Sequence, residues 1–453
     1  MDAAENPDRY HLYKPRPLEI IDTTLREGQQ TSLLHDHHKY FFTVRDKVEL
    51  VRALILYGVK FIELFSPVVS TQEGEDLKAI QQARDELVIQ KGYTFLLAHV
   101  RLHPDDIEAA IRAGFDGLNI YIGTSPQMRA FSTGKDLDDI VKQARKLLED
   151  LHKNHPHLIL RFSGEDTFRT RLEDQFYVYD KVVPYVDRLG LPDTVGVATP
   201  ASVGQRIQAL RARYPKTDLE IHFHDDRGFA LANTLEAIRC GVRYVNTTLL
   251  GIGDRSGITS MTALIFNLYL DQQYDLLEGY NLRGSYPINV LAADKLRTLV
   301  SSKEPISLTN RTHTAGVHQG AILNDSSTYE AHPLDVFGVS ERDILLGPLS
   351  GWNTIHYFLQ EINYFQLDES TARDITARFK ERVYQIDADQ SPAQLLLRIA
   401  TEEYNLTKLL LPESTRKRIV QRLDADSSKA DRAEPKNMKK TSDPKSPKGE
   451  TAK

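Results

Sequence analysis

From Leu18 to about Tyr269, short β-rich runs alternate with amphipathic stretches, and this alternation constrains the fold more than any other feature of the chain. The strand candidates are Leu18–Asp22, Phe61–Leu64, Thr94–Val100, Leu118–Ile122, Leu158–Phe162, Asp187–Leu191, Leu219–His224 and Tyr244–Leu249. The sixth carries the weakest signal. About eight strand–helix units in series predict an α/β fold, a parallel sheet closed as a (β/α)8 or TIM barrel. The intervals read as helices. HPDD at His103–Asp106 puts Pro104 near a first turn. In KDLDDIVKQARKLLEDL, Leu137, Ile140, Val141, Ala144, Leu147, Leu148 and Leu151 form one helical face.

A chain of 453 residues has room for a barrel and more. Residues 1–17 read as an N-terminal extension and 18–275 as the catalytic barrel. A linker and lid follow over 276–345, then a helical C-terminal domain over 346–423. The stretch 424–453 is rich in Lys, Asp, Ser and Pro and reads as a disordered basic tail. Apolar content of 41% and charged content of 26% are ordinary for a globular protein. A net charge of -6 points away from nucleic acid. No apolar run approaches a membrane span, and MDAAENPDRYHLYKPRP has no signal core. The single cysteine, Cys240, excludes an intrachain disulfide and a thiolate metal cluster. A cytoplasmic enzyme is the expectation.

The chemistry-bearing residues fall at the carboxyl ends of the proposed strands, where barrels of this kind place their sites. DTTLREGQQ, Asp22–Gln30, sets Arg26 and Glu27 where the first strand breaks. HFH sets His222 and His224 two apart on the seventh, and in a strand such residues share a face. One carboxylate and two imidazoles suit Zn, Mn, Mg or Co with positions left for substrate. Asp225 and Asp226 either orient those ligands or cap the next helix. Arg26 is either ion-paired or a stabiliser of oxyanion charge. Gln30 could hydrogen-bond a substrate carboxylate, and Thr23 and Thr24 read as strand-end residues. In RFSGEDTF, Arg161 either clamps a carboxylate or pairs with Glu165 or Asp166, and Glu165 is a candidate acid or base. GIGDRSG, Gly251–Gly257, is a tight turn or a phosphate cradle. His313 and His318 of HTAGVHQ, with Tyr329 downstream, are solvated or relay protons.

DTTLREGQQ, HVRLH, GTSP, RFSGEDTFR, DTVGVATP, HFHDD, GIGDRSGIT and HTAGVHQGAI occur in the order seen in homocitrate synthases. Over roughly residues 18 to 365 the chain resembles that family. The family belongs with isopropylmalate and citramalate synthases among metal-dependent Claisen-condensing barrels. The resemblance implies condensation of acetyl-CoA with a 2-oxo acid, 2-oxoglutarate first, giving homocitrate and CoA in lysine biosynthesis. It implies Glu27, His222 and His224 as metal ligands, with Arg26 stabilising charge. It implies Gln30, His99, Arg161 and Thr194 as oxo-acid contacts, and Glu165, His318 and Tyr329 as the acid/base set. It further implies a homodimer in which the lid residues come from the partner subunit. Asn119 stands where lysine-pathway members usually carry an Asp that helps bind the inhibitor lysine. Gly164, Thr314 and Gln319 replace the usual Ser, Lys and Ala, and HHKY and FFTV alter the loop after the first strand. These changes leave room for another 2-oxo acid: oxaloacetate, 2-oxoisovalerate, pyruvate or a phosphonate analogue. A carbon–carbon lyase of the same barrel superfamily is a further alternative, and its family uses a catalytic cysteine.

Overall fold

The computed structural model describes residues 18–387 and 389–408. The expected N-terminal extension, the tail and the end of the expected helical domain lie outside the described residues. Eight parallel strands close into a barrel in chain order: β1 (Glu19–Asp22), β2 (Phe61–Phe65), β3 (Phe95–Arg101), β4 (Gly117–Gly123), β5 (Ile159–Glu165), β6 (Arg188–Asp193), β7 (Asp218–Phe223) and β8 (Tyr244–Thr247). Closure comes from β1 pairing with β8, Glu19 opposite Tyr244 through Asp22 opposite Thr247. The weak sixth strand forms, because Arg188–Asp193 is clasped along its length by β7.

Helices α1 (Val44–Tyr57), α2 (Thr71–Lys91), α3 (Pro104–Arg112), α4 (Leu137–Asn154), α5 (Leu172–Val182), α6 (Pro200–Arg213) and α7 (Ala230–Arg239) fill the crossovers, and α8 (Met261–Leu270) follows β8. Their starts are chemically marked. Thr43 and Asp46 form a reciprocal capping box on α1, Pro104 opens α3, and Asp136 caps α4.

Strand period decides what faces where. Ile62, Leu64, Ala98, Leu118, Ile120, Leu160, Phe162, Leu189, Ile221 and Val245 are buried in the main core that joins sheet to helices. The alternate positions point into the barrel. At its amino end they are apolar: Ile21, Phe61, Leu97 and Tyr244. Arg188 closes this floor, its guanidinium 3.9 Å from the Tyr244 ring centroid and 4.9 Å from that of Phe61. Above the floor the inward positions turn polar.

The chain divides into two compact units. The first holds the barrel through Thr312 together with Glu330–Asp343, and includes α9 (Ser285–Leu296). The second holds His313–Tyr329 and the described chain from Ile344 onward. It contains α10 (Gly316–Asn324), α11 (Trp352–Tyr357), α12 (Glu369–Arg382) and α13 (Pro392–Arg398), and a separate core of Ile355, Leu359, Phe365, Ile375, Phe379, Leu396 and Ile399. Among the described residues no helix is long and apolar enough to cross a membrane.

Gly58 ends α1 at φ 113°, and a Cβ there would lie 2.2 Å from the carbonyl oxygen of Gly279. Only glycine satisfies both demands. Gly58→Ala is expected to destabilise the barrel unit by more than about 1 kcal/mol, read from denaturant unfolding. An unchanged midpoint would refute this reading of the α1 terminus.

Candidate active site

At the carboxyl end of the barrel Glu27 meets His222 and His224. The imidazole Nε2 atoms lie 3.3 Å from each other, and each is 3.9 Å from a Glu27 carboxylate oxygen. All three residues are buried. Burial pushes His222 down to about 3, reinforced by His224 and opposed by Glu27. Burial likewise lowers His224. Both rings are therefore neutral near pH 7, the state in which imidazole ligates metal. Burial alone would raise Glu27, but the Arg26 guanidinium, with the Asp254 backbone N–H, brings it down to about 2. The Asn246 amide oxygen lies 3.2 Å from His222 Nδ1. It accepts a hydrogen bond from the Nδ1–H, which leaves the Nε2 lone pair free toward Glu27. The donor set thus fits a divalent cation: one ionised carboxylate and two neutral, converging imidazole nitrogens.

The GIGDRSG turn has a role beyond the two considered for it. The backbone N–H of Asp254 donates to Glu27 Oε1 at 2.9 Å and orients the carboxylate. Gly253 lies against Glu27, where an added Cβ would come within 3.1 Å of the carboxylate oxygen. Neither aspartate after HFH hydrogen-bonds an imidazole among the described residues. Asp225 accepts the Ala230 N–H at the start of α7, and Asp226 pairs with Arg255.

Below the donor set runs a buried chain of alternating charge. Arg26 donates to Glu27 and, through Nε, to Glu63 at 2.7 Å. Glu63 also accepts from the Asn119 amide and lies 4.0 Å from Arg161. Arg161 donates to Glu220, and Arg188 donates to the other Glu220 oxygen at 3.0 Å. Arg161 therefore does not pair with Glu165 or Asp166, the internal partners considered from sequence. Asn246 closes the chain by donating to Glu220 at 3.0 Å. Burial would raise Glu63, yet Arg26, with Arg161 and the Asn119 amide, holds it well below the carboxylate range.

His99 lies two residues before the end of β3, which runs on to Arg101, and stacks on Tyr121 at 4.3 Å between ring centroids. Burial, then Arg26, drives it far below its ordinary value, so it too is neutral. Its Nδ1 and the Nε of Arg161 are buried without a hydrogen-bond partner among the described residues, which marks them as groups with capacity to meet a ligand. Thr194 Oγ1 accepts the Asp166 N–H at 2.9 Å. Gln30 is exposed at the rim. Glu165 ends β5 opposite Gly123, and burial, then the neighbouring Asp166, raises its pKa. Within the second unit His318 stacks on Tyr329, ring centroids 4.0 Å apart, and both are exposed. Cys240 ends α7, at the amino end of β8 and so at the opposite end of the barrel from Glu27. Burial pushes its thiol up to about 11.

Sequence reasoning missed Glu63, Glu220 and Asn246. Their signal was a charged or amide residue in the middle of an otherwise apolar strand, FIELF, LEIHF and YVNT. Strands of a parallel sheet are normally apolar on both faces.

A closed parallel barrel with a buried carboxylate–imidazole cluster that fits a metal at its carboxyl rim has the architecture of a barrel enzyme. The comparisons specify it further. Residues 17–285 match the HMGL-like family, and residues 308–386 match the family described as homocitrate synthase post-HMGL domain-like. The mitochondrial homocitrate synthase of Schizosaccharomyces pombe is 35% identical over 83% of this chain and 86% of its own length. The cytosolic isozyme of Saccharomyces cerevisiae is 35% identical over 83% and 85%. A 2-isopropylmalate synthase of Sediminispirochaeta smaragdinae is 32% identical over 82% and 74%. Among solved structures, the hydroxymethylglutaryl-CoA lyase of Pseudomonas aeruginosa superposes with a TM-score of 0.53 at 19% identity, covering 64% of this chain and 96% of that one. It shares the fold. The chain belongs to the HMGL-like family and, within it, to the homocitrate synthase group.

Asp22 lies under this site, fully enclosed, accepting the backbone N–H and hydroxyl of Thr24 at 3.0 and 2.9 Å. Burial, against those hydrogen bonds, raises it from 3.8 to about 7. The folded value exceeds the unfolded one, so the neutral carboxyl contributes stability that is complete below about pH 4 and is lost as pH rises through 7. Asp22→Asn is expected to abolish this loss, on the order of 4 kcal/mol across that window. Urea unfolding of both proteins at a series of pH values measures it, and parallel pH profiles would refute the assignment.

Proposed function

We propose that this protein condenses acetyl-CoA with 2-oxoglutarate and hydrolyses the resulting thioester, releasing (R)-homocitrate and CoA in the first step of 2-aminoadipate lysine biosynthesis. The observation that carries the reading is the Glu27–His222–His224 donor set in a chain 35% identical to named homocitrate synthases over 83% of its length. A divalent ion on those three residues supplies Lewis acidity toward the keto group of the oxo acid. Zn, Mn, Mg and Co all suit the donors.

The chain's own residues do the rest. Arg26 is held by Glu27 and Glu63, so its remaining N–H groups are fixed in direction for charge that develops on the former keto oxygen. Arg161, braced by Glu220, and neutral His99 offer buried donors to the carboxylates of a dianionic oxo acid. Asn119 lies beside Glu63 as a neutral amide, and Thr194 and Gln30 complete the oxo-acid contacts. The three arginines and three glutamates of the buried chain balance, so a divalent ion is offset by a doubly charged substrate.

Glu165 retains its proton more tightly than an ordinary carboxyl. Once ionised it is a correspondingly stronger base for the α-proton of the acetyl thioester. His318 and Tyr329 share this proton traffic. We assign them to the partner subunit of a homodimer. Their exposure supports this, as does that of the apolar neighbours Val317, Leu345 and Leu349. We place the enzyme in the cytoplasm, as for the cytosolic isozyme among its relatives. The lyase alternative lacks its catalytic cysteine, because Cys240 sits at the amino end of β8, away from Glu27.

Release of CoA, followed by thiol detection with Mn or Zn supplied, is expected with 2-oxoglutarate. It is not expected with 2-oxoisovalerate, pyruvate, oxaloacetate or phosphonopyruvate, and a parallel set with lysine reads the consequence of Asn119. Release with another acid would move the substrate assignment. Glu27→Gln and His224→Ala are expected to lose bound metal, measured by elemental analysis, and at least about a hundredfold in turnover. Turnover with the metal demonstrably gone would sink the site.

The shared lid has its own test. Glu27→Gln and His318→Ala are each expected to be nearly inactive, yet a mixture reassorted into hybrid dimers regains about a quarter of wild-type activity, because one site per hybrid is intact. No recovery from a mixture proven to contain hybrids would place the lid in cis.

A further inference from the structure

The loop between β4 and α4, residues 124–136, lies beside Glu165. Thr124 N–H donates to the Glu165 carbonyl at 3.2 Å. A Cβ on Gly123 would lie 3.6 Å from the Glu165 carboxylate and 2.5 Å from Met128 Cβ, so Met128 and the Glu165 carboxylate flank one glycine. The loop is built rather than slack. Ser125 donates to Asp166 at 2.5 Å and accepts the Met128 N–H. The chain then makes a π-helical turn over Arg129–Thr133, ends it at left-handed Gly134 (φ 63°), and enters α4.

This anchored turn carries groups that the fold does not use. Phe131 is 92% exposed. A lone exposed Phe is ordinary, but its company here is not. Arg129 spends only its Nε, on the Thr124 carbonyl at 3.2 Å, and Lys135 meets the neutral amide of Gln143. Neither has a carboxylate within ion-pair distance among the described residues. Arg101, Arg169 and Arg255, on other parts of the same rim, are each held by an aspartate. The acidic residues at and after the end of the loop are committed: Asp136 caps α4 at 2.8 Å, and Asp138 accepts the Tyr177 hydroxyl at 2.6 Å. An unpacked aromatic ring between two uncompensated cations, beside the exposed Ser132, matches a purine ring joined to phosphates.

We propose that this loop binds the 3′-phospho-ADP end of acetyl-CoA, with the adenine on Phe131 and the phosphates on Arg129 and Lys135. The inference rests on the reading that acetyl-CoA is the co-substrate. The pantetheine arm separates thioester from nucleotide. With the acetyl group at Glu165, the nucleotide falls on the rim, and the rim beside Glu165 is this loop.

The test compares acetyl-CoA with acetylpantetheine, which lacks the nucleotide, in wild type, Phe131→Ala and Arg129→Ala/Lys135→Ala. The ratio of kcat/KM for the two donors is expected to fall about tenfold in Phe131→Ala and further in the double variant, with the loss in KM for acetyl-CoA. An unchanged ratio, or an equal fall with both donors, overturns the proposal. Titration calorimetry with CoA and with 3′,5′-ADP is run on the same proteins. If wild type turns over neither donor, the proposed reaction fails, and calorimetry still decides the loop: binding weakened in the variants supports it, and absent or unaltered binding overturns it. A change of oligomeric mass in Phe131→Ala, with nucleotide binding intact, would make the ring an interface residue instead and also overturn the proposal.

Discussion

The site depends on a buried chain of alternating charges, Arg188–Glu220–Arg161–Glu63–Arg26–Glu27, that climbs the inside of the barrel. Each charge is far from water, and an unpaired one would be costly. Removing one partner of such a pair costs on the order of 3–5 kcal/mol, because the other is left buried and unmatched. The residues therefore hold one another in place. Arg26 points where it does because Glu63 and Glu27 take two of its donors, and Arg161 because Glu220 takes another. The same chain explains why the barrel tolerates charge where a parallel sheet usually carries apolar side chains.

Asn246 couples this chain to the metal-donor set. Its Nδ2 donates to Glu220, and its Oδ1 accepts from His222 Nδ1. One amide therefore fixes a carboxylate of the charge chain and a histidine tautomer. The electrostatics of the two parts are complementary. The arginines hold Glu27 and Glu63 ionised, while burial and the same arginine, Arg26, keep His99, His222 and His224 neutral. The result is a mouth where one ionised carboxylate and two neutral imidazoles converge in a set that fits a cation, beside buried nitrogens of His99 and Arg161 that have no hydrogen-bond partner among the described residues.

The second unit is organised differently. It has its own apolar core on Ile355, Leu359, Ile375, Phe379 and Leu396. It presents His318 and Tyr329 as a stacked, exposed pair on and after α10. Gln319, next to His318, turns inward instead and donates to the His313 and Leu345 carbonyls at 2.9 and 2.6 Å. Its long amide spans two backbone segments that an alanine would leave unbridged. That is a structural reason for glutamine at a position where the resembling family usually has alanine.

Much of this was legible in the chain. The eight strands were visible because each outward face is a run of apolar residues cut off by turn chemistry, and those runs survive whatever the partner strand is. Glu27, His222 and His224 were visible because two short motifs, each local, put ligand-type residues at strand ends. Glu63, Glu220 and Asn246 were not, since a single polar residue inside a strand is equally compatible with a solvated face. Only barrel closure, which sets Phe61 beside Phe95 and Pro192 beside His222, turns those faces inward and stacks the charges. The partner of Arg161 shows the same division. Sequence proximity favoured Glu165 or Asp166, but four residues of extended strand set Glu165 about 13 Å further along β5, and the true partner, Glu220, lies 59 residues away across β6. The sequence by itself determined the strand order, the donor residues and the family, because these reside in local pattern. The tertiary structure alone decided which charges neutralise one another, because pairing inside a barrel depends on register between strands that are distant in the chain.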